Sequence, residues 1–527
     1  MLVPALRRVG LALALVVLGI GGAVAQDAAP SDVGTPPQRE PAAATPSVPK
    51  GAPGGARSGG SPSPAAAELH KLPPDSTTKQ VLDLPGRTLA FTATAGSIRL
   101  FDDKGEPQAD IAYTAYQLDG ADRATRPVTF LFNGGPGAAS AWLQLGNNGP
   151  WRLDINADRV TPSAAPDLKP NAETWLDFTD LVFIDPVGTG FSRFVATGDD
   201  VRKRFFSVDG DVAANAVTIR RWLEKHGRLL SPKYVAAESY GGIRGPKLVR
   251  HLQTREGIGV KGLILISPVL DFREYSGSSI LQYVSSLPTF AAVTRAQKRD
   301  VTRADMDDVE RYARGDFLLD LMKGEADTEA TNRLADKVAS LTGIDQTTSR
   351  RLGGRFDIAE FRREFDRRDG KVTGRYDASV TGYDPFPDSS FHHFGDPSGD
   401  PLVAPLTSAA IDLVSRKLNW QPDGSYELLN GGVERAWDFG RGLSPVESIT
   451  ELRQILALDT KLRVLVAHGL FDLAAPYFGS KILLDQLPQT FASPERLKFV
   501  VYPGGHMFYS RDAARKAFRA EVEALMK

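Results

Sequence analysis

The most informative part of the sequence for the fold is the stretch Ala237-Glu238-Ser239-Tyr240-Gly241-Gly242. It follows the apolar residues 234–236 and precedes a segment that can form a helix. A serine between a strand and a helix, with small residues two positions before and after it, is typical of a nucleophile elbow, because the sharp turn crowds the backbone there. Ala237 and Gly241 are both small, so the pattern predicts that Ser239 stands at the tip of such a turn.

Continuous apolar runs recur on both sides of this stretch. They cover residues 128–132, 181–184, 234–236, 262–267, 463–467 and 497–501. Such runs are typical of strands that are buried on both faces, and helical segments separate several of them. The sequence therefore predicts an α/β fold with a mostly parallel central sheet and helices on both faces. Two earlier segments, residues 87–100 and 109–118, alternate in polarity and predict antiparallel strands.

Residues 271–403 differ from the rest of the folded chain. They are rich in charged residues, a helical pattern covers much of residues 295–341, and no buried strand is obvious. We therefore predict a helical insertion between two strands of the sheet, which leaves residues 75–270 and 404–527 as the α/β domain.

The N-terminal part has the composition of an export signal followed by a spacer. Arg7 and Arg8 precede an apolar run that ends in Ala23-Val24-Ala25, so residues 1–25 are predicted to be a cleaved signal peptide. A membrane anchor is the alternative, but the run is short for a span of about 20 residues. Residues 26–74 are rich in Ala, Pro, Gly and Ser and are predicted to be a disordered tether. We expect an exported protein, periplasmic or extracellular, without membrane attachment after cleavage.

Charge and cysteine content exclude several classes of function. The 63 basic and 64 acidic residues give a formal net charge of −1, which offers nothing to attract nucleic acid or an anionic membrane. The chain has no cysteine, so disulfides, thiol nucleophiles and cysteine-based metal sites are excluded. The pair His392-His393 suggests a metal, but no carboxylate or cysteine with ligand spacing accompanies it, and we expect no metal and no cofactor.

Two further segments supply partners for Ser239. Asp472 stands just beyond the predicted strand 463–467, and His506 stands just beyond the predicted strand 497–501. Functional groups gather at the carboxyl ends of strands in open parallel sheets, and the chain order Ser, Asp, His is that of α/β-hydrolases. Histidine takes the proton of the serine and the carboxylate fixes the histidine tautomer, so a serine nucleophile needs all three groups.

The segment Asn133-Gly134-Gly135-Pro136-Gly137 follows an early predicted strand. Its glycines let backbone N–H groups approach a developing oxyanion, where the loss of one donor costs about 2.7–4 kcal/mol. The segment could instead cradle a phosphate, but no Lys-Ser/Thr follows it and it does not fit Gly-x-Gly-x-x-Gly, so we discount a nucleotide site. An alternative base also exists, because His468 falls at a strand end four positions before Asp472.

Four motifs, in order and in spacing, resemble those of the serine carboxypeptidase family. They are Asn-Gly-Gly-Pro-Gly at residues 133–137, Asp-Pro-Val-Gly-Thr-Gly-Phe-Ser at 185–192, Glu-Ser-Tyr-Gly-Gly at 238–242 and Gly-His-Met at 505–507. The resemblance runs from residue 130 to the C terminus, and it implies an α/β-hydrolase fold whose insertion is a cap that shapes the side-chain pocket. It also implies that Ser239, Asp472 and His506 are the catalytic triad and that the N–H groups of Gly135 and Tyr240 form the oxyanion hole.

The resemblance further implies that Asn133, Gly134 and Glu238 bind the free C-terminal carboxylate of a peptide. The chain departs from the family at Asn147, where the family has a glutamate that pairs with the one before the serine. Two close carboxyls share a proton and give a neutral donor for the substrate carboxylate, whereas Asn147 would donate from its amide. Without a second carboxyl, we expect Glu238 to be ionised over most of the neutral range.

Together these features predict a serine carboxypeptidase that removes C-terminal residues from peptides through an acyl-enzyme on Ser239. An esterase or an acyltransferase would use the same three residues. A protein that binds without catalysis is the third possibility, although the complete triad and the glycine loop argue against it. The expected partners are peptides with a free C terminus, and the sequence predicts no oligomeric state.

Overall fold

The computed structural model of the protein describes residues 71–156, 160–389, 395–440 and 446–527. The predicted signal peptide, nearly all of the predicted tether and the pair His392-His393 lie outside these residues. The described strands are β1 (Ser76–Leu84), β2 (Arg87–Phe101), β3 (Pro107–Leu118), β4 (Val128–Phe132), β5 (Trp151–Arg152), β6 (Lys169–Pro170), β7 (Asp180–Ile184), β8 (Arg193–Phe194), β9 (Lys233–Glu238), β10 (Gly262–Ile266), β11 (Lys371–Thr373), β12 (Thr381–Tyr383), β13 (Arg463–Gly469) and β14 (Leu497–Tyr502).

Ten of these strands form one sheet in the order β1-β2-β3-β7-β4-β9-β10-β13-β14, with β8 paired to β3. The part from β7 to β14 is parallel throughout. The part from β1 to β7 is antiparallel. Each apolar run identified in the sequence is one of the strands of the parallel part, so the predicted α/β class with a mostly parallel sheet is confirmed.

Both faces of the parallel part are buried, as the central strand β9 illustrates. Tyr234 and Ala236 belong to one hydrophobic cluster, whereas Val235 and Ala237 belong to another. Successive side chains of a strand point to opposite faces, so the two clusters cover the two faces of the sheet. Burial on both sides is why these strands read as continuous apolar runs in the sequence.

Helices fill the connections between the strands. The described α-helices are Ala141–Leu143, Asp199–Phe205, Val208–Lys225, Gly241–Thr254, Leu281–Ala296, Asp307–Tyr312, Leu318–Lys323, Thr328–Thr342, Gln346–Arg351, Ile358–Glu364, Asp400–Asp412, Gly431–Ala436, Ile449–Leu458, Tyr477–Leu484 and Asp512–Met526. Among them, none is both long and apolar enough to cross a membrane. Because β9, β10, β13 and β14 are parallel neighbours, the loops after them meet at one edge of the sheet.

The longest connection runs from β10 to β13, over residues 267–462. Helices of this connection, among them Leu281–Ala296, Thr328–Thr342 and Ile358–Glu364, contribute to one hydrophobic cluster. The same cluster includes Phe471 and Tyr477, which follow β13. The insertion therefore packs on the loop that carries Asp472. The sequence suggested that the insertion is helical, but it also contains a short antiparallel pair, β11 and β12.

Two predicted boundaries fall inside packed structure. Residue 403 lies within helix Asp400–Asp412, whose Leu402 and Leu406 pack in the same cluster as one face of the sheet. At the other end of the chain, Leu72 is only 5% exposed, and the Trp420 indole N–H donates to the carbonyl of Pro74 at 3.1 Å. Packed structure therefore begins a few residues before the predicted end of the tether.

Candidate active site

Ser239 occupies a sharp turn between β9 and helix Gly241–Thr254. Its φ of +62° lies in the left-handed region, where a residue other than glycine is strained. The surrounding backbone holds this conformation, because the Ser239 N–H donates to the Ile266 carbonyl at 3.0 Å and the Ser239 carbonyl accepts from the Gly242 N–H at 2.8 Å. The turn therefore presents the serine at the carboxyl end of the central strand.

Small residues around Ser239 make the turn possible. A Cβ on Gly241 would lie 2.7 Å from the Cβ of Ala237, and a Cβ on Gly242 would lie 2.2 Å from the Val269 carbonyl oxygen. Neither contact is compatible with a larger residue unless the backbone shifts. The pattern of small residues in the sequence thus has the steric origin that was expected for a nucleophile elbow.

Asp472 follows β13 and His506 follows β14, and the two side chains meet. His506 Nδ1 lies 2.7 Å from Asp472 Oδ2, and both residues are buried. The other carboxylate oxygen, Oδ1, accepts the backbone N–H groups of Ala474 at 2.8 Å and of Ala475 at 3.0 Å. Since Asp472 is fixed by these donors, it holds the imidazole with Nδ1 as the donor and leaves Nε2 to accept a proton.

Tyr376 of the insertion and Ser267, which follows β10, also hold His506 in place. The Tyr376 carbonyl accepts the His506 N–H, and the Tyr376 ring stacks on the imidazole with a centroid distance of 5.2 Å. Ser267 donates its hydroxyl to the His506 carbonyl at 2.7 Å. Because Ser267 follows Ile266, whose carbonyl accepts the Ser239 N–H, the base and the predicted nucleophile are anchored to adjacent residues. No hydrogen bond joins the Ser239 hydroxyl to His506 in the described residues; such bonds are often long without substrate.

Electrostatics favour His506 as a base. Burial lowers its pKa, but the charge of Asp472 and the hydrogen bond that the imidazole donates to this carboxylate raise the pKa by more, and the charge of Glu238 adds to the rise. The net pKa lies above the ordinary value for histidine. Burial raises the pKa of Asp472, while the charge of His506 and the hydrogen bonds that the carboxylate accepts act against that rise. The two groups therefore stabilise each other's charged forms.

His468, the rival base, has a different environment on β13. The residue is fully buried, and its ring nitrogens make no hydrogen bond of good geometry to any described residue, although the backbone of Ala475 is near. Burial lowers the pKa of His468 to about 3. A neutral imidazole without a carboxylate partner is poorly suited to take a proton from a serine at neutral pH.

The glycine segment after β4 lies against the predicted nucleophile. A Cβ on Gly134 would lie 2.6 Å from the Tyr240 nitrogen and 2.7 Å from the Ser239 Cβ, so only glycine allows this approach. Gly135 has a φ of +98°, which also favours glycine. Within the described chain, the N–H groups of Gly135 and Tyr240 donate to no protein acceptor. Two unpaired N–H groups beside a serine are what an oxyanion hole requires.

A buried ion pair that the sequence did not reveal supports this segment. The Arg244 guanidinium pairs with the Asp211 carboxylate at 2.7 Å and donates to the Asn133 carbonyl at 2.6 Å. Its Cζ also lies 5.3 Å from the centre of the Tyr240 ring. Arg244 thus links the glycine segment to the residue that follows Ser239, and no local pattern in the sequence indicates that role.

Glu238 is buried directly before the serine, with 3% of its surface exposed. Tyr509 donates its hydroxyl to Glu238 Oε2 at 2.7 Å, and the Asn133 side chain interacts with the same carboxyl. Burial raises the pKa of Glu238 to about 7, although the charge of His506 and these hydrogen bonds act in the opposite direction. The expectation of an ionised Glu238 across the neutral range was therefore wrong, because burial raises the pKa of this carboxyl and the negative charge of Asp472 adds to the rise.

Asn147 makes no hydrogen bond to this carboxyl in the described residues. Its side chain is 1% exposed, and neither its amide oxygen nor its amide nitrogen has a partner among the described residues. The preceding residue, Gly146, lies against Tyr509, since a Cβ there would be 3.2 Å from the ring. Asn133, Gly134 and Glu238 are thus brought together, whereas Asn147 follows a residue that packs on Tyr509, and its amide makes no hydrogen bond in the described residues. No cluster of potential metal ligands occurs in the described ranges.

Comparisons with known proteins identify similar sequences and folds. Residues 93–339 match the family model described as serine carboxypeptidase. Over these residues, which are just under half of the chain, the protein is similar to the serine carboxypeptidase family. The predicted resemblance is thereby confirmed, and three of the four motifs lie within the matched residues.

Among curated relatives, serine carboxypeptidase-like 13 of Arabidopsis thaliana is 32% identical over 148 residues, which are 28% of this chain and 33% of that protein. The retinoid-inducible serine carboxypeptidase of Mus musculus is 37% identical over 103 residues, 19% of this chain and 22% of that protein. The chain spans a third or less of the length of these two relatives. Among solved structures, the prohormone-processing carboxypeptidase Kex1Δp of Saccharomyces cerevisiae matches this chain with a TM-score of 0.54 and 16% sequence identity. The match covers 82% of this chain and 91% of the Kex1Δp chain, and it supports the α/β-hydrolase fold alone.

Proposed function

We propose that this protein is a serine carboxypeptidase that removes C-terminal residues from peptides. The observation that carries the proposal is the convergence of a serine in a left-handed turn, an imidazole bonded to a buried carboxylate, and two unpaired N–H groups. This set contains a nucleophile, a base with its orienting group, and an electrophilic site, which is what acyl transfer needs. The similarity to serine carboxypeptidases supplies the substrate class.

In this proposal His506 Nε2 accepts the proton of the Ser239 hydroxyl as the oxygen attacks the last peptide carbonyl. The carbonyl oxygen becomes an oxyanion and accepts the N–H groups of Gly135 and Tyr240, each worth about 2.7–4 kcal/mol of transition-state stabilisation. His506 then passes its proton to the leaving amino group, and the C-terminal residue departs. Water, activated by His506, hydrolyses the acyl-enzyme and restores the serine.

Recognition of the C terminus is assigned to the carboxyl before the serine. Below its pKa of about 7, Glu238 carries a proton and can donate to a substrate carboxylate. The Asn133 side chain interacts with this carboxyl, and Gly134 lies against the Glu238 backbone. Asn147 offers a buried amide that has no partner in the described residues. These neutral donors would bind a free C-terminal carboxylate, and this site makes the proposed enzyme an exopeptidase instead of an endopeptidase.

The remaining parts of the proposal concern the chain around the site. We assign residues 271–403 as the cap that shapes the side-chain pocket over the domain formed by residues 75–270 and 404–527. We assign residues 1–25 as a signal peptide and 26–74 as a tether, with export to a periplasm or out of the cell. The packing of Phe471 with the helices of the insertion supports the cap assignment, because it joins the cap to the Asp472 loop.

An active-site label distinguishes catalysis from binding. A peptidyl phosphonate should modify Ser239 in the full-length protein, and mass spectrometry of the digested protein should locate the adduct there. The variant Ser239→Ala provides the matched control and should remain unlabelled. Absence of an adduct in the wild-type protein would favour a binding protein.

Matched substrates separate a peptidase from an esterase or an acyltransferase. A blocked dipeptide, its ethyl ester and its C-terminal amide share one peptide bond, whose cleavage releases the second residue as the free acid, the ester or the amide. The ethyl ester also contains an ester bond, whose cleavage releases ethanol and leaves the dipeptide intact. We expect hydrolysis of the free-acid dipeptide. Cleavage of the ester alone, or transfer of the acyl group to an added alcohol without any peptide hydrolysis, would contradict the proposed activity.

A further inference from the structure

Tyr509 is placed by the fold directly against Glu238, although 271 residues separate them in the chain. It lies in the turn Phe508–Ser510 that follows His506, and its ring is fully buried. The hydroxyl donates to Glu238 Oε2 at 2.7 Å, while the backbone carbonyl accepts from the buried Arg515 guanidinium at 2.9 Å. Because the ring and the backbone are both held, the hydroxyl has a fixed position.

We propose that Tyr509 is a positioning residue of the carboxylate site, which holds one oxygen of Glu238 so that the other faces the substrate C terminus. This role rests on the proposed carboxypeptidase function. It replaces the second carboxyl of the family, at whose position this chain has Asn147. The unpaired amide of Asn147 agrees with this assignment, since Glu238 has its partner in Tyr509 instead.

A tyrosine partner has a chemical consequence that a carboxyl partner does not. Burial and the neighbouring Glu238 raise the pKa of Tyr509 well above its ordinary value. The phenol therefore stays protonated and acts only as a donor, whereas two carboxyls would share one proton. Glu238 consequently gains and loses its own proton, and the hydroxyl of Tyr509 favours the ionised form.

Few other groups act on Glu238. The charged groups that face it are His506, whose positive form favours ionisation, and Asp472, which opposes it; Asn133 donates to it. These neighbours remain in place when the hydroxyl of Tyr509 is removed. The substitution Tyr509→Phe should therefore raise the pH at which Glu238 titrates, and it should also loosen the orientation of the carboxyl.

The matched control is Tyr502→Phe. Tyr502 lies on β14 and stacks on Phe508 at 5.0 Å, next to Tyr509, but its hydroxyl has no partner in the described part of the chain. Both substitutions remove a single oxygen atom and leave the ring, so they differ only in whether a hydrogen bond to Glu238 is lost.

Infrared difference spectra across pH would follow the protonated carboxyl band directly, with Glu238→Gln assigning it. We expect Tyr509→Phe to move its midpoint upward by about one pH unit, a tenfold gain in proton affinity, and Tyr502→Phe to leave it unchanged. In kinetic assays, Tyr509→Phe should raise KM about three- to tenfold for free-acid peptides at acid pH, because the carboxyl is less well oriented, with kcat retained. C-terminal amides should respond to neither variant.

The two readouts separate this inference from the function on which it rests. A shifted midpoint together with the KM change, in Tyr509→Phe alone, supports the proposal. An active carboxypeptidase in which Tyr509→Phe and Tyr502→Phe have the same midpoint and the same KM overturns it. A shifted midpoint in a protein that hydrolyses no peptide would refute the proposed function and still support the coupling of Tyr509 to Glu238.

Discussion

The catalytic half of the site and its carboxylate-binding half depart from the family to different degrees. The proposed catalytic half consists of Ser239, Asp472 and His506 with the N–H groups of Gly135 and Tyr240, and it keeps each residue that the resemblance implies. The carboxylate half contains Glu238 but has Asn147 in place of its partner, and Tyr509 supplies the hydrogen bond. Proton transfer needs one geometry and a narrow range of pKa values. Binding of a carboxylate needs only well-placed donors, so that half can be rebuilt from different side chains.

The largest expected effect comes from the centre of the catalytic half. Ser239→Ala should reduce kcat by about 10⁴- to 10⁶-fold, because the residues of a triad act as a unit. The fold should be retained, since alanine is smaller and removes no hydrogen bond that is seen in the structure. Steady-state kinetics and thermal unfolding would check both points. If the variant kept more than a tenth of the activity, the nucleophile would have to be another residue.

The next effect tests the two histidines at neighbouring strand ends. His506→Gln should lower kcat by about 10³-fold or more, because it removes the base that Asp472 orients. His468→Gln should lower kcat by less than tenfold, since His468 is neutral and has no carboxylate partner. Both variants require the same kinetic assay at neutral pH. The reverse ranking would mean that the catalytic half is centred on the wrong histidine.

His468 should instead affect stability in acid. Its folded-state pKa of about 3 lies below the ordinary 6.5, so the unfolded chain binds the proton first as the pH falls from 6.5 towards 3. The free energy of unfolding should therefore drop by about 1.4 kcal/mol per pH unit in that window. Denaturant unfolding of His468→Gln should show a shallower decline than the wild-type protein. Parallel curves would indicate that His468 is protonated or solvated in the folded state.

The smallest expected effect lies in the carboxylate half. Asn147→Glu should restore a second carboxyl and lower KM for free-acid peptides at acid pH by a few fold. It should change kcat little, because this contact is made equally in the ground state and the transition state. The adjacent Asn148, which is also buried and unpaired, provides the matched control as Asn148→Glu. Equal KM changes for acid and amide substrates would show that residue 147 does not touch the C terminus.

The sequence predicted most of what is local in this structure. The parallel strands appear as apolar runs because both of their faces are buried, and the turn at Ser239 appears as small residues because larger ones would clash. Asp472 and His506 could be assigned because each directly follows a strand. These features each depend on a few consecutive residues.

Long-range contacts and burial were not accessible in the same way. The bonds from Tyr509 to Glu238 and from Arg244 to Asp211 join distant segments, and nothing in either segment marks its partner. The pKa of Glu238 depends on how completely the fold encloses it, so the expectation of an ordinary ionised glutamate failed. The end of the insertion could not be located from the sequence either. Helix Asp400–Asp412 has a helical pattern like the helices before it, but it packs on the sheet.

The most direct test of the central proposal compares one peptide with its C-terminal amide. The protein would be incubated with each at pH 5.5 to 6, below the pKa of Glu238, and the products followed by mass spectrometry over time. The account predicts a ladder of products from the free acid, each shorter by one C-terminal residue, little reaction with the amide, and no products with Ser239→Ala. Internal cleavage, or equal rates for acid and amide, would contradict recognition of the C terminus at Glu238.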